Sequence, residues 1–451
     1  MSLHHYDTDT TIIAPATATG GAVVVVRMSG PQAITIADNL YNGRTKLSKA
    51  KGYTLHYGDI VYSNGEILDD VVVALFRAPH SYTGDDTVEV TLHGSEYIVS
   101  EFLRLAVEQG AVMATPGEFT RRAFLAGKMD LSRAEAVADI IASDSQWSHN
   151  VASTQMRGSY SERLSTMRDQ LLKLCSLLEL ELDFSEEDVE FANRTELHKM
   201  LKSIAAEVTA LKSSFALGNA LKNGVTVAII GEPNVGKSTL LNALVEDDRA
   251  MVSDIAGTTR DTIEATTIID GIRYRFIDTA GLRATDDQLE QMGIDRTYRA
   301  MENAQIILHV AALDNPTFEE VTILPHQKYL RVINKVDHKT NAPIADDDAP
   351  LSLSAKYNEG IESLRLRLRA CTDTQHLNSS SVVVTNMRHY TALTKALESL
   401  EMALRAMEMN VPSDLLSEDI RQTLHHLGEI TGDITSEDIL QTIFSKFCIG
   451  K

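Results

Sequence analysis

The sequence predicts a chain of several domains: an α+β domain first, an all-α domain split in two, and a parallel α/β domain inserted between its halves. Three observations predict it. The 451 residues exceed what one ordinary core holds. β-rich runs give way to helical periodicity, return, and give way again. In the second β-rich block the runs alternate with helical stretches, the βαβ rhythm of a parallel sheet covered by helices.

The elements follow in order. Residues 1–124 carry "GAVVVVRMSG", "DVVVALF" and "TVEVTLHG" between turn signals and short helical stretches, as an α+β domain does. Over 125–222 the β signal disappears. Leu164, Met167, Leu171, Leu174, Leu178 and Leu182 recur at steps of three and four, and Leu197, Leu201, Ile204, Val208 and Leu211 repeat the pattern, so long amphipathic helices of a bundle are predicted. β-rich runs return from "GVTVAIIG" over 223–378, and 379–451 is helical again. The two helical stretches are expected to pack together across the inserted domain, because the ends of a domain often lie close to one another.

Composition narrows the class. Apolar residues make up 43% and charged residues 23%, which argues for folded domains over long disordered stretches. A formal charge of −21 disfavours a chain that grips nucleic-acid backbone unaided, since phosphate binding needs clustered Lys and Arg. Cys175, Cys371 and Cys448 are far apart and lack metal-ligand spacing, which fits a reducing compartment. "AVVVVR" is too short for a signal segment or a membrane span, so the cytoplasm is expected. Cys448 stands fourth from the last residue, the place of a lipid-box cysteine, but Gly450 and Lys451 do not meet the aliphatic and terminal requirements of such a box.

"GEPNVGKS", Gly231 to Ser238, follows the apolar "VTVAII" and opens the helical "TLLNAL", so strand, phosphate-binding loop and helix occur in the required order. Backbone N–H groups of Asn234, Val235, Gly236, Lys237, Ser238 and Thr239 are expected to face phosphates, with the Lys237 ammonium on the β- and γ-phosphates and the Ser238 hydroxyl on Mg²⁺. Asp278, Thr279, Ala280 and Gly281 ("DTAG") follow a strand-like run, where a carboxylate serves the Mg²⁺ shell and a glycine N–H senses the γ-phosphate. "NKVD" (Asn334, Lys335, Asp337) and "SAK" (Ser354, Ala355, Lys356) complete an ordered set that resembles the GTPase superfamily. That resemblance implies a Ras-like P-loop G domain in which Asp337 accepts from the guanine ring N–H and amino group. In "SDIAGTTRD", Ser253, Asp254, Ile255, Ala256, Gly257, Thr258 and Thr259 precede the next strand, with Thr259 a second Mg²⁺ hydroxyl. Leu282 stands where Ras-like proteins carry a water-orienting Gln.

These motifs, with "PHSYTGDDTVEV", "TPGEFTRRAFLAGKMDLSRAEAVADII" and the terminal "FCIGK", resemble the MnmE (TrmE) family of tRNA modification GTPases from about residue 10 to 451. The resemblance implies an N-terminal domain that binds formylated or methylene tetrahydrofolate and makes a homodimer, a discontinuous helical domain and an inserted G domain. It also implies an FAD-dependent MnmG-type partner in a heterotetramer, with FAD entering only through that partner and tRNA held mainly by the complex. Together they install an aminomethyl-type group, such as carboxymethylaminomethyl, at C5 of a wobble uridine. By the same resemblance Asn234, Ser253, Ile255 and Thr258 would hold K⁺, and Glu290 would orient the attacking water. Arg27, Glu89, Lys128 and Lys451 would hold the folate, and Cys448 would be a functional thiol beside it, so that Lys237, Glu290 and Cys448 are the candidate catalytic residues. "ATATGG" replaces the family's usual "PPGRGG" before Arg27, and Ser185 stands where Pro is common. The competing class is a regulatory GTPase, of ribosome assembly or stress response, whose N-terminal domain only binds a partner.

Overall fold

The computed structural model describes residues 9–183, 194–246, 264–278, 301–338, 349–372, 381–409, 411 and 413–451. The chain divides into two compact units: Met1–Ala138 with Gln155–His198 and Met402–Lys451, and Asp139–Thr154 with Lys199–Glu401. It is multidomain, with mixed sheets and helices.

The first unit holds a seven-stranded sheet in the order β3-β4-β5-β6-β2-β1-β7. Its strands are β1 (Ile12–Pro15), β2 (Val23–Ser29), β3 (Tyr41–Gly43), β4 (Thr54–Val61), β5 (Ile67–Phe76), β6 (Thr87–His93) and β7 (Val112–Met113). Alternation decides which face is covered: on β5, Val71, Val73 and Leu75 are buried while Asp70 and Val72 face out. The helices Ala33–Leu40 and Glu96–Glu108 close the covered face with Ile34, Ile36, Val99 and Phe102. β4 is not among the runs that the sequence pattern singles out. The reason is an inverted alternation, for Leu55 and Tyr57 point outward while Thr54 and His56 are half-buried.

In the same unit the helix Ser159–Asp183 buries Leu164, Met167, Leu171, Leu174 and Leu178, the stripe its periodicity predicts. It packs along the helix Ser413–Thr431, with Glu179–Arg421 at 2.5 Å and Arg168–Asp433 as flanking ion pairs. The two helical stretches therefore do meet. The last helix, Glu437–Phe444, is capped by Ser436, whose side chain accepts from the Ile439 N–H, and its Leu440 and Phe444 join Phe447 against Leu131 and Ala134.

The second unit holds a six-stranded sheet ordered β13-β12-β11-β8-β10-β9. The strands are β8 (Val225–Ile230), β9 (Glu264–Ile269), β10 (Ile272–Asp278), β11 (Ile306–Ala312), β12 (Lys328–Asn334) and β13 (Leu351–Ser352). All neighbours are parallel except β9 with β10. β11 is buried at every position, as expected of a parallel strand covered on both faces. The helix Ile361–Cys371 is fixed to the sheet by Tyr274 of β10, fully buried, whose hydroxyl donates to Leu368 O at 3.2 Å and lies 3.1 Å from Thr372 Oγ1. Tyr274→Phe keeps the ring and removes the hydroxyl's hydrogen bond to Leu368 O. It is expected to cost about 1–2 kcal/mol, read as a lower thermal midpoint of the unit holding the parallel sheet, with no change in secondary structure by circular dichroism.

Candidate functional site

β8 lies between β10 and β11 and delivers the loop after Ile230 to the first turn of the helix Lys237–Glu246. The loop is built from backbone that side chains would obstruct. Gly231 sits at φ +139°, where a Cβ would stand 2.0 Å from Val310 O, and Gly236 at φ +95°, where it would stand 2.4 Å from Asn334 Nδ2. Between them Asn234 keeps a positive φ of 66° despite its side chain, and that side chain is exposed. Lys237 is buried, and its ammonium donates to the loop's own Gly231 O at 2.6 Å and Glu232 O at 2.8 Å. Ser238 and Thr239 are exposed at the helix start, where N–H groups and the helix dipole favour an anion.

A cavity of about 600 Å³ opens beside this loop, within the usual range of ~300–1,000 Å³ for small-molecule sites. Gly236, Thr239, Asn334, Lys335, Asp337, Ser354 and Lys356 line it. Asn334 binds the two sides together: its Nδ2 donates to Val235 O at 3.0 Å and its Oδ1 accepts from the Ala355 N–H at 3.0 Å. Ser354 Oγ donates to Asp337 Oδ1 at 3.1 Å, which orients a carboxylate toward the cavity wall. The phosphate loop, "NKVD" and "SAK" are thus one site, although more than a hundred residues separate the first from the last.

Sequence reasoning missed Leu313 and Asp314, which line the same cavity from the turn after β11. The next residue, Asn315, donates to Glu232 of the phosphate loop at 3.1 Å. The only signal available was the end of the apolar run "IILHVAAL" at a polar turn. Asp278 closes β10 in register with Ile229 of β8, so "DTAG" begins beside the strand that feeds the loop. Ser253, Asp254, Ile255, Ala256, Gly257, Thr258, Thr259, Thr279, Ala280, Gly281, Leu282 and Glu290 lie outside the described residues, as does Ser185.

The other unit carries the second predicted cluster. Arg27 of β2 and Glu89 of β6 are register partners, and Arg27 Nε donates to Glu89 Oε1 at 2.8 Å with both side chains largely buried. The Arg27 guanidinium also lies 5.3 Å from the Tyr82 ring centre and 5.6 Å from that of Phe119, and its Nη1 donates to Gly450 O at 3.3 Å. Burial, offset by Thr120 and Arg27, raises the Tyr82 phenol above its ordinary pKa. Gly450 takes φ +95°, and a Cβ there would stand 2.1 Å from Pro15 O, so both the backbone and the space require glycine. The Cys448 carbonyl accepts from the N–H groups of Gly117 and Lys451, both at 3.4 Å, while Cys448 itself is exposed. Its thiol does not finish the helix packing, which Phe444 and Phe447 complete. Lys128 donates to Pro79 O on the segment that leads to Tyr82. Arg27, Glu89 and the tail therefore meet, and Tyr82 and Phe119 are ring neighbours that sequence reasoning did not assign.

A family model described as the MnmE helical domain matches residues 131–448, and one described as the GTP-binding protein TrmE N-terminus matches residues 11–128. The chain belongs to the MnmE family. The tRNA modification GTPase MnmE of Bacteroides fragilis is 47% identical over 462 residues, spanning 98% of this chain and 99% of its own. That of Cytophaga hutchinsonii is 47% identical over 452 residues, spanning 98% of each. The similarity to both MnmE relatives runs over nearly the whole chain. In this MnmE-family chain the hydrogen bonds of Asn334 hold the nucleotide site's two walls. Asn334→Ala removes both, at about 1–1.5 kcal/mol each, so affinity for a fluorescent GTP analogue is expected to fall by ~30- to 150-fold in a titration.

Proposed function

We propose that this chain is a K⁺-dependent GTPase that works with an FAD-dependent MnmG-type partner to modify C5 of the wobble uridine of certain tRNAs. The product is an aminomethyl-type substituent, such as carboxymethylaminomethyl, and its one-carbon unit comes from formylated or methylene tetrahydrofolate. Residues 1–124 form the folate-binding and dimerising domain, 125–222 and 379–451 the helical domain, and 223–378 the G domain. The working form is a homodimer joined to its partner in a heterotetramer, in the cytoplasm, with tRNA held mainly by the complex. Among the described residues no helix is long and apolar enough to cross a membrane.

In the G domain the chemistry of the donor set suits a nucleoside triphosphate. Gly236 leaves room for close backbone approach, Lys237 supplies the buried cation, and Asp337 offers an acceptor pair to guanine. Lys335, Ser354, Ala355 and Lys356 complete the base pocket. Mg²⁺ would be held by Ser238 and Thr259, and K⁺ by Asn234, Ser253, Ile255 and Thr258. When bound, K⁺ supplies the charge that an arginine finger supplies elsewhere. Glu290 would orient the attacking water where Leu282 cannot.

The observation that carries the modification reading over a purely regulatory GTPase is the tail: Gly450 O accepts from Arg27, which is paired to Glu89. A folate suits this place, since Glu89 is an acceptor for the donor face of a pterin and Arg27, Lys128 and Lys451 are cations for its carboxylates. Cys448, exposed on a docked tail, is then a thiol beside the reacting carbon.

Two outcomes are expected. GTP turnover will be much faster in K⁺ than in Na⁺, and Asn234→Ala will abolish that difference while retaining most nucleotide affinity; equal wild-type rates in the two salts would remove the K⁺ assignment. Cys448→Ser will keep GTP hydrolysis and lose tRNA modification, measured by mass spectrometry of wobble nucleosides from a complemented deletion strain. Wild-type modification levels would leave Cys448 without a chemical role.

A further inference from the structure

We infer that the helix Ser413–Thr431 carries a divalent transition-metal site made of His425, His426 and Glu429. The ligand atoms of these three side chains lie within 4.8 Å of one another, and they are the one such group among the described residues. The two separations from imidazole to carboxylate are close to those of ligands around a single ion. An ion with bonds of ~2.0–2.1 Å in tetrahedral geometry separates its nitrogen and oxygen ligands by roughly 3.3–3.4 Å. His425 Nε2 stands 3.4 Å from Glu429 Oε1, and His426 Nδ1 stands 3.6 Å from Glu429 Oε2.

A second observation concerns His426 alone. Its Nδ1 is buried and makes no hydrogen bond, so a nitrogen already removed from water is aimed at the carboxylate without the close contact that would satisfy it. An ion between them would satisfy that atom. The helix explains how the three converge: Glu429 is four residues beyond His425 and three beyond His426, the two separations that bring side chains onto one face. The adjacent imidazoles, which would otherwise diverge, are drawn edge to face with ring centres 5.5 Å apart.

Two imidazoles and one carboxylate select a borderline ion such as Zn²⁺ or Co²⁺ over Mg²⁺ or Ca²⁺, which prefer oxygen. Three protein ligands leave a position for water or a further group, as in exchangeable sites. All three sit on one helix, so binding needs no rearrangement of the fold and ties consecutive turns of the helix that packs along Ser159–Asp183.

The probe is Co²⁺ alone, measured on the full nucleotide-free chain by equilibrium dialysis with metal analysis. Cys448→Ser serves as the background, so that the exposed thiol does not contribute. About one Co²⁺ per chain should be taken up in excess of the His425→Ala/His426→Ala double variant. Glu429→Gln, which keeps both imidazoles and nearly the same volume, should weaken uptake by ~10-fold or more. Far-ultraviolet circular dichroism and a thermal midpoint equal to the background's establish that both variants are folded. Equal uptake by the background and the folded variants overturns the site.

Discussion

The nucleotide site depends on one side-chain amide. Asn334 terminates β12 and holds Val235 O of the phosphate loop with one end and the Ala355 N–H with the other, so three loops from three strands share one residue. A carboxylate there could not donate, and a hydroxyl would have to donate and accept through a single atom. Gly236 makes the arrangement possible, because any side chain at that position would occupy the space of the Asn334 amide. Lys335 then turns through φ +64° and lets the chain reverse so that Asp337 comes under Ser354. Each of these features is local, yet together they set the distance between the phosphate and base ends of the cavity.

How much of this was legible depends on the range of the interaction. Helical periodicity is written in neighbours, and Leu164 through Leu178 proved buried on one stripe as their spacing required. The phosphate loop and "NKVD" carry fixed local chemistry, so their residues could be named in advance. β4 was not legible because outward Leu55 and Tyr57 contradict the usual polar exterior. Leu313 and Asp314 had no motif, since a turn after a buried strand reads alike in any parallel sheet. Nor could the Arg27–Glu89 pair be deduced from spacing: the residues are 62 apart, and only the register of β2 with β6 sets them opposite each other.

The last segment is held by packing before its backbone meets Arg27. Leu440, Phe444 and Phe447 bury enough apolar surface to hold the last helix, and Gly117 reinforces it by donating to the Cys448 carbonyl. Beyond that anchor the backbone, not a side chain, reaches Arg27. Packing thereby frees Cys448 to be exposed, which a cysteine used only as a small hydrophobe would not be.

The Lys237 ammonium rests on the carbonyls of Gly231 and Glu232, within the same loop that it serves. In the nucleotide complex we propose, that cation would exchange hydrogen-bond partners and not gain new ones. Heat released on binding would understate the number of phosphate contacts, because part of their enthalpy replaces enthalpy already present in the loop. A calorimetric comparison among nucleotides would accordingly register the base, which we propose binds at Asp337, more faithfully than the phosphate chain.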